Sequence, residues 1–299
     1  TDLIQEIDAA SALQDRVDLL DELALASRFN FHLKKLVLFQ PPAMLAYLIA
    51  ELKTLTLDKW RANSDLAQLG RAEALQYITV LLETMHKTLF LSWPLFAAPD
   101  GTSLLVLLLE PKAGLVMQVL VGVTSPLVSA EELKQGPLQQ AALDVVHMCM
   151  AVLYQISQLF VEQQLQDKVA AADKRTAFYA YVLSAVQGAA LERRLEIIFS
   201  ALKITLLDTP ASCMRMATIH HYAYVLHLLV KYPSAVREII AKKFQEDINF
   251  VIPRVILPPV TDTHPLEKRS SICFLKILSI FAPDMGKKLS TKELNQDLL

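Results

Sequence analysis

Apolar residues recur at three- and four-residue intervals along almost the whole of this chain, while glycine accounts for only 7 of 299 residues. The interval is that of one face of an α-helix, and helices need no glycine in their interiors. Proline-containing breaks interrupt the pattern every twenty or so residues. Together these features predict an all-α fold, a stack of antiparallel helices. They also remove most catalytic sites that can be read from sequence, because phosphate-cradling loops and nucleophile elbows depend on clustered glycines.

The hydrophobic fraction is 53% and the charged fraction 20%, which excludes wholesale disorder. Aromatic residues make up only 7%, so Leu, Ala, Val and Ile must do the packing. A chain of this length accommodates two compact domains or one elongated repeat array. The formal charge is -2 overall, distributed as -4 over residues 1–100, -1 over 101–230 and +3 over 231–299. That gradient is too mild to name a partner. Cys149, Cys213 and Cys273 lie far apart in apolar runs. An odd number without short spacing argues against a disulfide framework and for a reducing, intracellular compartment, cytoplasm or nucleus. The chain begins at Thr1 rather than Met, so the expectation is a segment of a longer protein. The stretch from Leu104 to Val123 is broken by Glu110, Pro111 and Lys112, and neither arm reaches the ~20 apolar residues of a membrane span.

The first helix is predicted over Ser11–Phe29, with Leu13, Val17 and Leu20 facing inward. Phe31–Phe39 continues it, and a helix opens at Pro42 and runs to Leu57. A helix over Asp65–Phe90, capped by Asn63 or Ser64, buries Ala74, Tyr77, Ile78, Leu81, Leu82 and Met85. Ser129 and Glu132 form a capping box for a short helix. Leu138–Lys168 is long, with Leu143, Val146, Met150, Leu153, Ile156, Phe160 and Leu165 as its apolar stripe, Asp173–Gln187 ends at Gly188, and Leu191–Leu207 follows. Thr209-Pro210 opens a helix to Tyr232, since threonine caps well and proline suits the first helical position. Pro233-Ser234 opens another to Phe250, Pro253, Pro258 and Pro259 form a connector, and Pro265 opens a helix to Phe281. Ser290 or Thr291 caps a last short one. The apolar runs 104–109 and 115–121 read as a β-hairpin or as two short buried helices, and the helical context favours helices.

Short proline breaks between helices mean antiparallel neighbours. The helix openings at Thr209-Pro210, Pro233-Ser234 and Pro265 give the last third the architecture of the HEAT/armadillo superfamily, which it resembles without a strict repeat period. The resemblance implies an α-solenoid of stacked helix hairpins, which a β-hairpin at 104–121 would interrupt. The expected organisation is a single elongated domain, 1–299, with 1–125 and 126–299 as the subdivision if residues 104–121 form a β-hairpin. Such an array implies a non-enzymatic scaffold for protein partners, with no catalytic residue, cofactor or metal assigned.

Cys213, His220 and His227 are seven residues apart, about 10.5 Å of helix rise, too far to share a zinc ion without ligands from elsewhere. They are read as structural, lying beside a core stripe of Ile219, Ala223, Leu226 and Val230. An enzyme or small-molecule site would have to gather His220, His227 and Glu238 from different helices. Glu192 and Glu196 bracket Arg193-Arg194 as intrahelical ion pairs. For partner binding the candidates are Trp93 and Phe96 in an aromatic loop, and the basic residues Arg237, Lys242, Lys243, Arg254, Lys268 and Arg269. The same basic residues supply the alternative of a nucleic-acid scaffold using the C-terminal third.

Overall fold

The computed structural model describes residues 2–10, 13–30, 32–33, 44–56, 70–90, 127–134, 136–166, 189–207, 213–231, 235–256 and 265–281. All regular elements among them are helices: α1 (Asp2–Ala9), α2 (Leu13–Phe29), α3 (Met44–Thr54), α4 (Arg71–Leu89), α5 (Gln139–Gln166), α6 (Ala189–Leu207), α7 (Cys213–Lys231), α8 (Ala235–Lys243), α9 (Gln245–Ile256) and α10 (Pro265–Phe281). The all-α prediction therefore holds for the described residues. The chain divides into two compact units, residues 1–185 and 186–299. Outside the described residues lie the apolar runs at 104–121, the position 125/126, the expected helix over 173–187, the Pro258-Pro259 part of the connector and the last short helix.

In the first unit α4 packs against α2, α3 and α5. Its buried side chains include Ala74, Leu75, Tyr77, Ile78, Val80, Leu81, Leu82, Met85 and Leu89, a set that goes most of the way round the helix. Only a narrow strip, with Ala72, Glu73 and Gln76 exposed, reaches water fully. Helix α2 meets it through Val17, Leu20, Leu23 and Ala24. Where the two helices cross, Thr84 Oγ1 donates to Val80 O at 2.8 Å and lies 3.5 Å from Leu20 O. Helix α5 closes another side with Leu143, Val146, Met150, Leu153 and Ile156, all predicted to face inward. Gln155 Nε2 lies 3.4 Å from the carbonyl of Leu89 at the end of α4.

In the first unit the structure departs from the sequence prediction in the following places. Helix α1 precedes the expected first helix. Helix α4 starts at Arg71 rather than Asp65, because Gly70 is extended and its N–H donates to the Glu73 carboxylate at 3.0 Å. Glycine has no side chain to return that bond, so half a capping box starts the helix. The Ser129–Glu132 box exists: Ser129 N–H donates to Glu132 Oε2 at 2.8 Å, and Glu132 N–H to Ser129 Oγ at 3.3 Å. It closes a turn, however, and not a helix.

In the second unit α7 packs on α10, α6 on α7, α8 and α9, and α9 on α10. All five helices send side chains to one apolar point, a void of about 10 Å³ lined by residues including Phe199, Leu226, Ile240, Ile252 and Phe274. Phe199 and Phe244 stack at 5.1 Å between ring centres, which ties α6 to the α8–α9 junction. The single helix predicted from Pro233-Ser234 to Phe250 is in fact two, α8 and α9, with Phe244 buried at the break. Helix α9 also runs through Pro253 to Ile256. Pro253 is exposed, and it lacks the N–H that would bond the carbonyl four residues earlier. Helix α10 begins at Pro265 and ends at Phe281, as predicted.

Because α4 is enclosed on several sides, truncating its core should cost far more than truncating its strip. Leu81→Ala is expected to lower unfolding stability by about 2–5 kcal/mol and Gln76→Ala by less than about 0.5 kcal/mol. Urea denaturation of the two variants checks this.

Candidate functional site

The basic residues proposed from sequence all belong to the second unit, and the structure sorts them by partner. Lys243 on α8 pairs with Glu192 on α6 at 2.5 Å. Lys203 on α6 pairs with Asp247 on α9 at 2.5 Å. Both pairs fasten neighbouring helices together. They also correct the expected pairing: Glu192 bonds Lys243 across helices and does not merely bracket the Arg193-Arg194 doublet, and Arg194 is buried. The reason is geometric, since a long lysine chain reaches a facing helix as readily as the next turn of its own. Partly exposed pairs of this kind are worth about 0–1 kcal/mol each.

Lys242, Arg254, Lys268 and Arg269 are exposed, whereas Arg237 is half-buried. Arg254 folds back on its own helix, with its guanidinium 3.6 Å from the centre of the Phe250 ring and Nη1 donating to Phe250 O at 2.8 Å. Trp93 and Phe96 lie outside the described residues.

The histidine stripe of α7 is placed differently from the prediction. His220 is 4% exposed and belongs to the core stripe with Ala223, Leu226 and Val230, while Ile219 is half-exposed. An imidazole can take that inner position because a hydroxyl meets it: His220 Nδ1 and Ser270 Oγ of α10 are 3.4 Å apart. The Tyr224 ring lies 6.2 Å away. Burial, followed by the positive charge of Arg269, holds the imidazole below the ordinary histidine pKa. One turn along α10, burial pushes the Cys273 thiol up to about 11, so it is a protonated core residue. A hydroxyl beside an imidazole is the raw material of a nucleophile and its base. Here the contact is long, Ser270 is 1% exposed, and the apolar void is lined by neither residue. The pair is packed as a link between α7 and α10. Glu238 is exposed on α8 and is not among the charges that shift His220.

Sequence reading missed two polar links in the first unit. Arg71, at the start of α4, donates from Nε to Glu132 Oε1 at 2.6 Å and from Nη2 to Glu132 Oε2 at 3.2 Å. The same Nη2 donates to Leu127 O at 2.6 Å. The bidentate fork holds the turn at 127–134, whose Leu127, Val128 and Leu133 are buried, against the start of α4. Burial alone would raise the Glu132 carboxyl, but bonds from Arg71 and Ser129 hold it below the ordinary carboxylate range. The second link is Tyr77, whose hydroxyl donates to Glu51 of α3 at 3.2 Å. Burial, then the nearby Glu51 charge, pushes its phenol well above the ordinary range, so it stays protonated. Sixty-one residues separate Arg71 from Glu132, and no local spacing announces such a pair.

Among the described residues no three His, Cys, Asp or Glu side chains gather as a metal site, and no helix is long and apolar enough to cross a membrane. Comparison with known proteins finds no family model, no curated protein and no solved structure that matches this chain.

Two pH dependences follow. Glu132 has a lowered folded pKa, so its contribution to stability is present above the unfolded carboxylate value, about 4.5, and is lost as pH falls through the folded value. Glu132→Gln should be less stable than wild type at neutral pH, with the gap closing in acid; denaturation series at several pH values show whether it does. His220 is a base with a lowered folded pKa, so its stability term is present above about 6.5 and is lost as pH falls through the folded value. Its ring protons should titrate below 6.5 by NMR, and His220→Asn should flatten the stability profile in that window.

Proposed function

We propose that this chain is a non-enzymatic helical scaffold whose surface binds other proteins, a helical-repeat adaptor module of an intracellular complex. The observation that carries this reading is the packing in the second unit. If α8 and α9 are taken as one broken helix, the contacts of α6 with α7, α6 with α8 and α9, α9 with α10, and α7 with α10 are those of two helix hairpins laid side by side. That is the unit from which solenoids of the HEAT/armadillo kind are built. Such an arrangement leaves outer helix faces available as rows of residues. The reactive-looking groups support the same reading. His220, Ser270 and Cys273 are packed inside, and Glu132 and Tyr77 are engaged between elements.

A second reading, a nucleic-acid scaffold, draws on the charge of the second unit. It holds 15 basic and 11 acidic residues, a net +4, against 14 and 20 in the first unit. Phosphate binding would weaken steeply with salt.

Affinity purification of this chain from native extract at two salt concentrations, followed by mass spectrometry, tests the proposal. A stoichiometric protein partner that survives high salt is the expected result. Recovery of nucleic acid alone, and only at low salt, would replace the scaffold reading with the second one. Recovery of neither would overturn both.

A further inference from the structure

Helix α10 buries Ser270, Cys273, Phe274, Ile277 and Leu278. Its opposite side carries exposed Lys268, Arg269, Lys276 and Ser279, with half-exposed Ile272 between them. At 3.6 residues per turn these five fall within about 100° of one another, a single face. The last turn of α9 packs beside α10. Ser271 Oγ donates to Val255 O at 3.2 Å, which brings the end of α9 beside the early turns of α10. Arg254, exposed next to Val255, is held flat on the Phe250 ring. Of the acids on α9, Asp247 is taken by Lys203. Exposed Glu246 lies eight residues from Arg254, about 12 Å along the helix. Lys268, Arg269 and Lys276 are presented on one face of α10, around an aliphatic side chain.

We propose that this face binds an acidic segment of a protein partner, one with carboxylates two helical turns apart and an aliphatic residue to cover Ile272. The inference rests on the scaffold reading and names the chemistry of its partner. Arg269 and Lys276 are seven residues apart, about 10.5 Å, which matches carboxylates two turns apart on a facing helix. A nucleic acid fits less well. Specific duplex binders commonly neutralise about 6–10 phosphates, and single-strand binders offer open aromatic rings. Among the described residues this face presents three cations and no open aromatic ring.

The test is fluorescence anisotropy of the full chain with a labelled helical peptide of Glu, Leu and Ala, alongside a single-stranded oligonucleotide of the same net charge. The peptide is expected to bind more tightly than the oligonucleotide. Arg269→Glu with Lys276→Glu should weaken it about tenfold. Arg193→Glu with Lys134→Glu, an equal charge change at exposed positions elsewhere in the chain, should leave it within about twofold. Absence of peptide binding, equal loss in both variants, or tighter oligonucleotide binding would each overturn the proposal. The same Arg269→Glu, Lys276→Glu variant, carried through the affinity purification, separates the two claims. A partner retained by the variant sinks this docking face and leaves the scaffold standing, whereas a wild-type chain that captures no protein sinks the scaffold itself.

Discussion

Burial of α4 by its neighbours is the constraint on which the first unit depends. Its apolar side chains extend most of the way round the helix, so no single contact can take them out of water. Helices α2, α3 and α5 each cover part of that surface. Burial of this kind is worth about 25 cal/mol per Å², and it is contiguous, so removing one wall re-exposes residues that the other walls cannot reach. The polar residues of the unit are placed in keeping with this. Thr84 sits inside the α2–α4 crossing and bonds its own turn, and Gln155 approaches the last carbonyls of α4.

The buried charges act as positioning devices. A guanidinium and a carboxylate taken out of water lose several kcal/mol of hydration each, which a bidentate geometry recovers only in part. The Arg71–Glu132 fork therefore adds little net stability but fixes where the turn at 127–134 docks. Any other register would leave a buried charge without its counterion. Tyr77 and Glu51 tie α3 to α4 in the same way, at lower cost, because the phenol stays neutral.

In the second unit charge and core are separated. Five helices meet at an apolar point, and the imidazole that enters the core does so neutral, beside a hydroxyl. Lysines outside the core fasten α6 to α8 and to α9. The outer face of α10 carries exposed cations, Lys268, Arg269 and Lys276. A surface of one sign raises the local concentration of oppositely charged ligands and rejects like-charged ones, so it contributes more to choice of partner than to fold.

The periodic apolar pattern and the scarcity of glycine determined by themselves that the described elements are helices. They also determined which faces turn inward on α4 and α5, and where α10 begins and ends. These are local properties: a 3.6-residue stripe needs only its own segment to be read, and a proline at the first helical position announces a start. Tertiary structure decided the rest. It split the run after Pro233-Ser234 at Phe244, because that ring is drawn into a stack with Phe199 from another helix. It put His220 in the core and Ile219 at the rim, because a serine fifty residues away was there to meet the imidazole. It gave Glu192 to Lys243 and Glu132 to Arg71. Each of these depends on which helix faces which, a distance in space that spacing along the chain does not encode.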